Sequence, residues 1–286
     1  MAYTKTSSKL SQNRALRSTQ GHGKVKKKKK KTSLESKVLP AGVPTTTFDR
    51  RMLGPFTCIV AGPTGCGKSF LVFNILRNLR KYVYPAVDGQ IIYCYGAYQK
   101  QFEEFKDHIE FHSGLLSRHE LIGDGVRDTE KHHLLIIDDL IEKQYSELIR
   151  DIFTKGSHHQ NMSVFFMTQN VFMKGENYRT TSLNSQYMLV FKNPRDMSQF
   201  SALARQLYPR DSGFLISVYN NELHHRKHVH LHLDFKQGTP EALRVRGPIT
   251  DKYLSVFVSN KNLRNLKKSV SMSDQNSGNS RQRNHG

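Results

Sequence analysis

Short apolar runs alternate along this chain with stretches in which apolar residues recur every three or four positions. Phe56 to Ala61 is brief and β-branched, the pattern of a buried strand. Phe70, Leu71, Phe73, Ile75, Leu76 and Leu79 then fall at helical spacing. Gln90 to Tyr95 predicts a second strand, Tyr98 to His108 a polar helix, and His133 to Ile137 a third strand. Ile141 to Phe153 reads as an amphipathic helix, Ser163 to Met167 and Tyr187 to Phe191 as two more strands. Residues 172–184 are polar and read as a mobile loop. Pro194 to Tyr208 predicts a helix with Pro194 near its first turn. Phe214 to Tyr219 and Val229 to Phe235 predict a closing pair of strands. Strands that alternate with helices predict an α/β fold: a central, mostly parallel sheet with helices on both faces.

Charge divides the chain differently from hydrophobicity. Of the net +20, residues 1–40 hold +11 and residues 261–286 hold +5, which leaves +4 for residues 41–260. The predicted organisation is a disordered basic N-terminal tail (1–40), one globular domain (41–260) and a disordered polar, basic C-terminal tail (261–286). Pro40, Gly42 and Pro44 mark the first boundary. The run Lys26 to Lys31 repels itself and stays extended; it suits nuclear import or contact with phosphates. No apolar run approaches the roughly 18–20 residues of a membrane-spanning helix, and Met1 to Leu10 has no signal-peptide pattern. Three cysteines without C-x-x-C spacing argue against a disulfide scaffold and suit a reducing compartment.

The most specific chemistry lies between the first strand and the first helix. Gly62-Pro63-Thr64-Gly65-Cys66-Gly67-Lys68-Ser69 matches G-x-x-x-x-G-K-[ST] in full. Glycines let backbone N–H groups wrap phosphates at a helix N-terminus. Lys68 is expected to reach the β- and γ-phosphates of ATP, and Ser69 to ligate Mg²⁺. The third strand ends in Asp138-Asp139. Asp138 is assigned to Mg²⁺, as a buried carboxylate beside the strand of the phosphate loop. Asp139 is assigned to activating water, with Glu142 one turn on as a fallback; an aspartate pair capping the next helix is the alternative. Gln169, after the fourth strand, can hydrogen-bond both water and phosphate if that strand neighbours the first.

These elements together resemble the FtsK–HerA superfamily of DNA-translocating ATPases, and more narrowly the viral genome-packaging ATPases of poxvirus and polinton-like type. The likeness includes GPTGCGKS, IIDDL, Thr168-Gln169-Asn170, Ser182-Leu183-Asn184, Phe191 to Asp196 and Leu203 to Gln206, and spans roughly residues 53–220. It implies a RecA-like P-loop NTPase core and a ring, a hexamer favoured, around double-stranded DNA, with capsid or portal proteins as partners. A neighbour's arginine would stabilise charge on the transferring phosphoryl group; Arg195 and Arg205 are the candidates, with Arg179 behind them. Lys174 and Arg179 could touch DNA backbone. Asp139 stands where such ATPases commonly carry glutamate. The lysine-rich tail suggests work in a host nucleus. A nucleic-acid-binding accessory protein that uses its ATP site as an assembly switch, or another P-loop translocase or helicase, is the alternative.

Histidines 224, 225, 228, 230 and 232 suggest a metal cluster, but a solvated strand face carrying His228, His230 and His232 is preferred. His132 and His133 read as strand-boundary residues, and Tyr82, Tyr84, Tyr93, Tyr95 and Tyr98 as packing residues rather than base-stacking ones.

Overall fold

A computed structural model of the chain describes residues 49–125, 127–223, 226–259 and 262. The expected tail at 1–40 with Lys26 to Lys31, His224, His225 and, apart from Asn262, the expected tail at 261–286 lie outside the described residues.

In chain order the strands are β1 (Met52–Leu53), β2 (Thr57–Ala61), β3 (Val83–Tyr84), β4 (Ile91–Tyr95), β5 (Glu110–Ser113), β6 (His133–Asp138), β7 (Met162–Thr168), β8 (Tyr187–Phe191), β9 (His230–Asp234) and β10 (Val245–Arg246). The α-helices are α1 (Lys68–Arg77), α2 (Leu79–Tyr82), α3 (Arg118–Ile122), α4 (Ser146–Asp151), α5 (Ser157–His159), α6 (Glu176–Leu183), α7 (Met197–Leu207) and α8 (Ser212–Glu222). Eight strands form one sheet in the order β10-β9-β8-β2-β7-β6-β4-β5, and β1 pairs with β3 apart from it. The pairings from β8 through β5 are parallel; β9 and β10 close the sheet antiparallel.

The sheet is covered on both faces, which is why its strands read as near-continuous apolar runs. Side chains alternate along each strand. On one face Ile59, Ala61, Leu135, Ile137, Val164 and Phe166 pack with Ile149 of α4, Phe200 and Leu203 of α7, and Leu215 and Val218 of α8. On the other, Cys58, Val60, Leu134, Ile136, Phe165 and Met167 pack with Leu71, Val72, Phe73, Ile75 and Leu76 of α1.

Several expected elements are corrected. Residues 214–219 belong to helix α8: Leu215, Val218, Tyr219 and Leu223 are buried at helix spacing, so the apolar run is one helix face. The polar helix expected at 98–108 is a 3₁₀ turn, Lys100–Glu104, folded over Phe102 and Phe105. The helix expected from Ile141 begins at Ser146 after a 3₁₀ turn and continues through a π-helical turn, Ile152–Gly156, into α5. The expected loop at 172–184 contains α6, held by buried Tyr178 and Thr181. Pro194 precedes α7; the cap is Asp196, whose carboxylate accepts from the N–H groups of Ser198 and Gln199. No described helix is long and apolar enough to cross a membrane.

Candidate functional site

The phosphate loop connects β2 to α1, and its glycines are needed for two different reasons. Gly65 and Gly67 take φ of 78° and 108°, left-handed values that side chains resist. Gly62 is closed in instead: a Cβ there would lie 2.6 Å from Cβ of Phe191 and 2.7 Å from Sγ of Cys66. Gly67 is also the N-cap of α1, so the first free N–H groups of a ten-residue helix open onto the loop. Lys68 curls back over it, its Nζ donating to the carbonyl of Gly62 at 2.7 Å and of Pro63 at 3.4 Å. Ser69, the second residue of α1, is half-buried beside it. Burial pushes the Cys66 thiol up, so it stays a neutral wall of the loop.

The carboxylates come from the other side of β2, and here the strand order corrects an expectation. β6 does not neighbour β2; β7 lies between them. Asp138 closes β6 and is buried. Its Oδ2 accepts from the Tyr93 hydroxyl at 2.7 Å and from Nε2 of Gln99 at 3.0 Å. Both bonds fall on one oxygen, which leaves Oδ1 for a metal-bound water. Burial pushes the Asp138 carboxyl up, against the Tyr93 hydrogen bond that pulls it down. Burial also raises the Tyr93 hydroxyl, which keeps it a donor.

β7 borders β2 directly and ends at Thr168, so Gln169 follows the strand next to that of the phosphate loop. Its Nε2 donates to Oδ2 of Asp139 at 3.1 Å, with Oδ1 at 3.4 Å. Asp139 holds φ of 57°. This left-handed turn swings an exposed carboxylate away from the strand that buries its neighbour. Glu142 is exposed and accepts from Nε2 of Gln144, whereas Asp139 meets Gln169.

Gly62, Gln169, Asn193, Asp196 and Gln199 line one narrow cleft. Asn193 is fixed there by its N–H to the Tyr219 hydroxyl at 2.7 Å, and its side chain accepts from the Arg195 N–H. Arg195 is thus exposed on a turn at the rim of the cleft. Arg205 is exposed on α7 well beyond it: nine residues past the cap at 1.5 Å each is about 14 Å. The structure brings Lys68, Ser69, Asp138, Asp139 and Gln169 to the C-terminal ends of β2, β6 and β7, with Arg195 just past the end of β8, and leaves Arg205 apart. Lys174 and Arg179 are exposed on the segment holding α6.

Tyr93, Gln99 and Asn193 are site residues that sequence reasoning missed. Tyr93 lies on β4, which pairs with β6 and places Tyr95, two positions on, opposite Asp138, a pairing that a single sequence does not give. Nothing local marks Gln99; Asn193 lies within the Phe191 to Asp196 stretch that carries the resemblance, but without a role assigned to it. The preferred reading of the histidines is also corrected. His230 and His232 are buried, packed against Phe191 and Tyr187, and burial lowers both so that they stay neutral. Among the described residues no group of three potential ligands could hold a metal ion. His132 is buried as well, its Nε2 2.7 Å from the Ser163 hydroxyl.

The residues present fit a Mg²⁺-bound nucleoside triphosphate. The loop has a wall that admits only glycine at position 62, a helix N-terminus and a lysine at its centre. A buried carboxylate with one oxygen uncommitted lies two strands away. The fold is α/β, with a phosphate loop joining β2 to α1 and a mostly parallel sheet between two helical layers. No protein-family model matches the sequence, and no curated protein does. Among solved structures the chain is similar to the genome packaging NTPase B204 from Sulfolobus turreted icosahedral virus 2 in complex with AMPPCP. The TM-score is 0.46 at 11% identity, over 71% of this chain and 96% of that one. It is similar to the cytoplasmic domain of the Thermomonospora curvata type VII secretion ATPase EccC, with TM-score 0.44 and 12% identity over 71% and 26% of the two chains. The pCW3 conjugation coupling protein TcpA gives TM-score 0.38 and 12% identity over 71% and 60%.

Proposed function

We propose that this chain is an ATP-hydrolysing motor that moves viral double-stranded DNA into capsids. The observation that carries the catalytic part is the Asp139–Gln169 contact at the strand ends that also hold Lys68 and Asp138. The motifs quoted above support the packaging part by resemblance. Mg²⁺, when bound, supplies positive charge against the phosphates. Ser69 and Asp138 hold the metal and its waters. Lys68 neutralises phosphate oxygens, and the α1 N-terminus adds its dipole. Asp139 takes a proton from the attacking water, and Gln169 orients both.

Arg195 stands exposed at the turn that follows the cleft residue Asn193. In a ring, Arg195 would serve its own site or an adjacent one, and Arg205, distant from its own site, would serve only a neighbour. Lys174, Arg179 and the basic segments at 1–40 and 261–286 would meet DNA backbone phosphates, and Lys26 to Lys31 would direct the protein to a host nucleus. Capsid or portal proteins complete the assembly.

Steady-state ATP hydrolysis with and without long double-stranded DNA, in wild type and Asp139→Asn, tests the reading. The expected result is DNA-stimulated turnover that falls by about 10²–10⁴ in the variant, the range for loss of a general base. Stimulation that survives Asp139→Asn would move water activation elsewhere. ATP binding without turnover in either condition would favour an assembly switch over a motor.

A further inference from the structure

His228 has no part in the chemistry above, yet it touches the phosphate loop. It lies in the turn before β9, exposed, with φ of 55°. Few non-glycine residues hold this conformation, histidine among those that do. Its Nδ1 is 3.1 Å from the carbonyl oxygen of Cys66, 162 positions earlier in the chain. A carbonyl only accepts, so Nδ1 carries the proton and donates. In the neutral ring that leaves Nε2 as an acceptor. The side chain also covers Gly67: a Cβ there would come 2.9 Å from Cβ of His228 and 3.0 Å from its Nδ1.

Strand order indicates which part of a nucleotide this residue meets. β7 and β6 lie on one side of β2 and carry the groups that handle the terminal phosphate, Gln169, Asp139 and Asp138. β8 and β9 lie on the other side. A triphosphate with its terminal group toward Gln169 therefore directs its ribose and base toward β8 and β9. The turn before β9 is the segment of that side that hydrogen-bonds the loop. Phe70 stands one helical turn along α1 from Gly67, and positions three apart share a helix face. It is 63% exposed although fully apolar. A flat apolar ring and a fixed acceptor are what a nucleoside requires: a stacking surface for the base, and a partner for a ribose hydroxyl or an exocyclic amine.

We infer that His228 and Phe70 form the nucleoside subsite, so that this site prefers a nucleotide to a bare polyphosphate. The inference rests on the nucleotide reading of the phosphate loop. Calorimetric titration of the full chain with MgATP and, separately, with magnesium and inorganic tripolyphosphate tests it. His228→Ala and Phe70→Ala should each weaken ATP binding about tenfold, the scale of one lost polar or stacking contact, and leave tripolyphosphate binding as in wild type. His228→Gln, whose amide both donates and accepts, should retain most of the ATP affinity. Equal losses for both ligands would make His228 a prop for the loop and overturn the subsite. Unchanged ATP affinity in both alanine variants would overturn it too. A wild-type chain that binds neither ligand would remove the nucleotide reading itself, and the subsite with it.

Discussion

Gly62 shows how narrow the tolerance of this site is. A methyl group there meets the Cβ of Phe191, an atom fixed to the β8 backbone, so a side-chain rotation cannot relieve the contact. Gly62→Ala should lower stability by about 1–3 kcal/mol, the usual cost of overpacking, and weaken ATP binding by shifting the carbonyl that Lys68 grips. Urea unfolding and ATP titration check this; an unchanged midpoint with unchanged affinity would contradict it. At this scale the contiguous parts of the site were readable from residues alone. The phosphate loop needs only its local order of glycines, lysine and serine. Asp139 and Gln169 were readable as candidates, but their contact across 30 positions depends on β7 lying between β2 and β6. His228, Gln99 and Asn193 act through tertiary contacts with no spacing rule behind them.

Elements follow the same division. Strands β2, β6, β7 and β8 were legible because burial on both faces makes their sequences uniformly apolar. α8 was misread because its Phe, Leu, Ile and Val residues suit a strand by composition; the periodicity of Leu215, Val218, Tyr219 and Leu223 favoured a helix. The short β1, β3 and β10 have only two residues each, too few for any pattern. β9 was found, but its histidines were placed in solvent. Their burial has a consequence for pH. His230 is pushed down to about 3 by burial, and its Nε2 accepts from the N–H of Ile249 at 3.3 Å, which requires the neutral ring. The unfolded chain protonates near 6.5 and the native one does not, so the unfolded state binds more protons as pH falls below 6.5. Stability is therefore lost on acidification from about 6.5 toward 3, by about 1.4 kcal/mol per pH unit for each such histidine. Burial lowers His232 as well, and it adds to the same slope. Denaturant midpoints between pH 7.5 and 5 should fall accordingly, and His230→Asn should flatten the slope. A midpoint constant over that range would contradict neutral burial.

Across the whole molecule, the sheet divides the labour around one loop. Strands on one side of β2 carry the carboxylates and amide suited to hydrolysis; strands on the other carry Asn193 and His228. The α/β class and the two helical layers were legible from the alternation of strands and helices, because each βαβ crossover leaves its own periodic signature. The strand order was not, since nothing in a single sequence says that β6 skips past β7. The charge imbalance also belongs to this scale: residues 41–260 are nearly balanced, and the excess sits at both ends of the chain. A translocating motor must do more than hydrolyse ATP beside DNA; it must move along it. The most direct test is displacement of a third-strand oligonucleotide from a long duplex, with the full chain, Mg²⁺ and ATP. ATP-dependent displacement that disappears in Lys68→Ala is the expected result. DNA-stimulated hydrolysis with the third strand left in place would contradict a DNA-translocating motor.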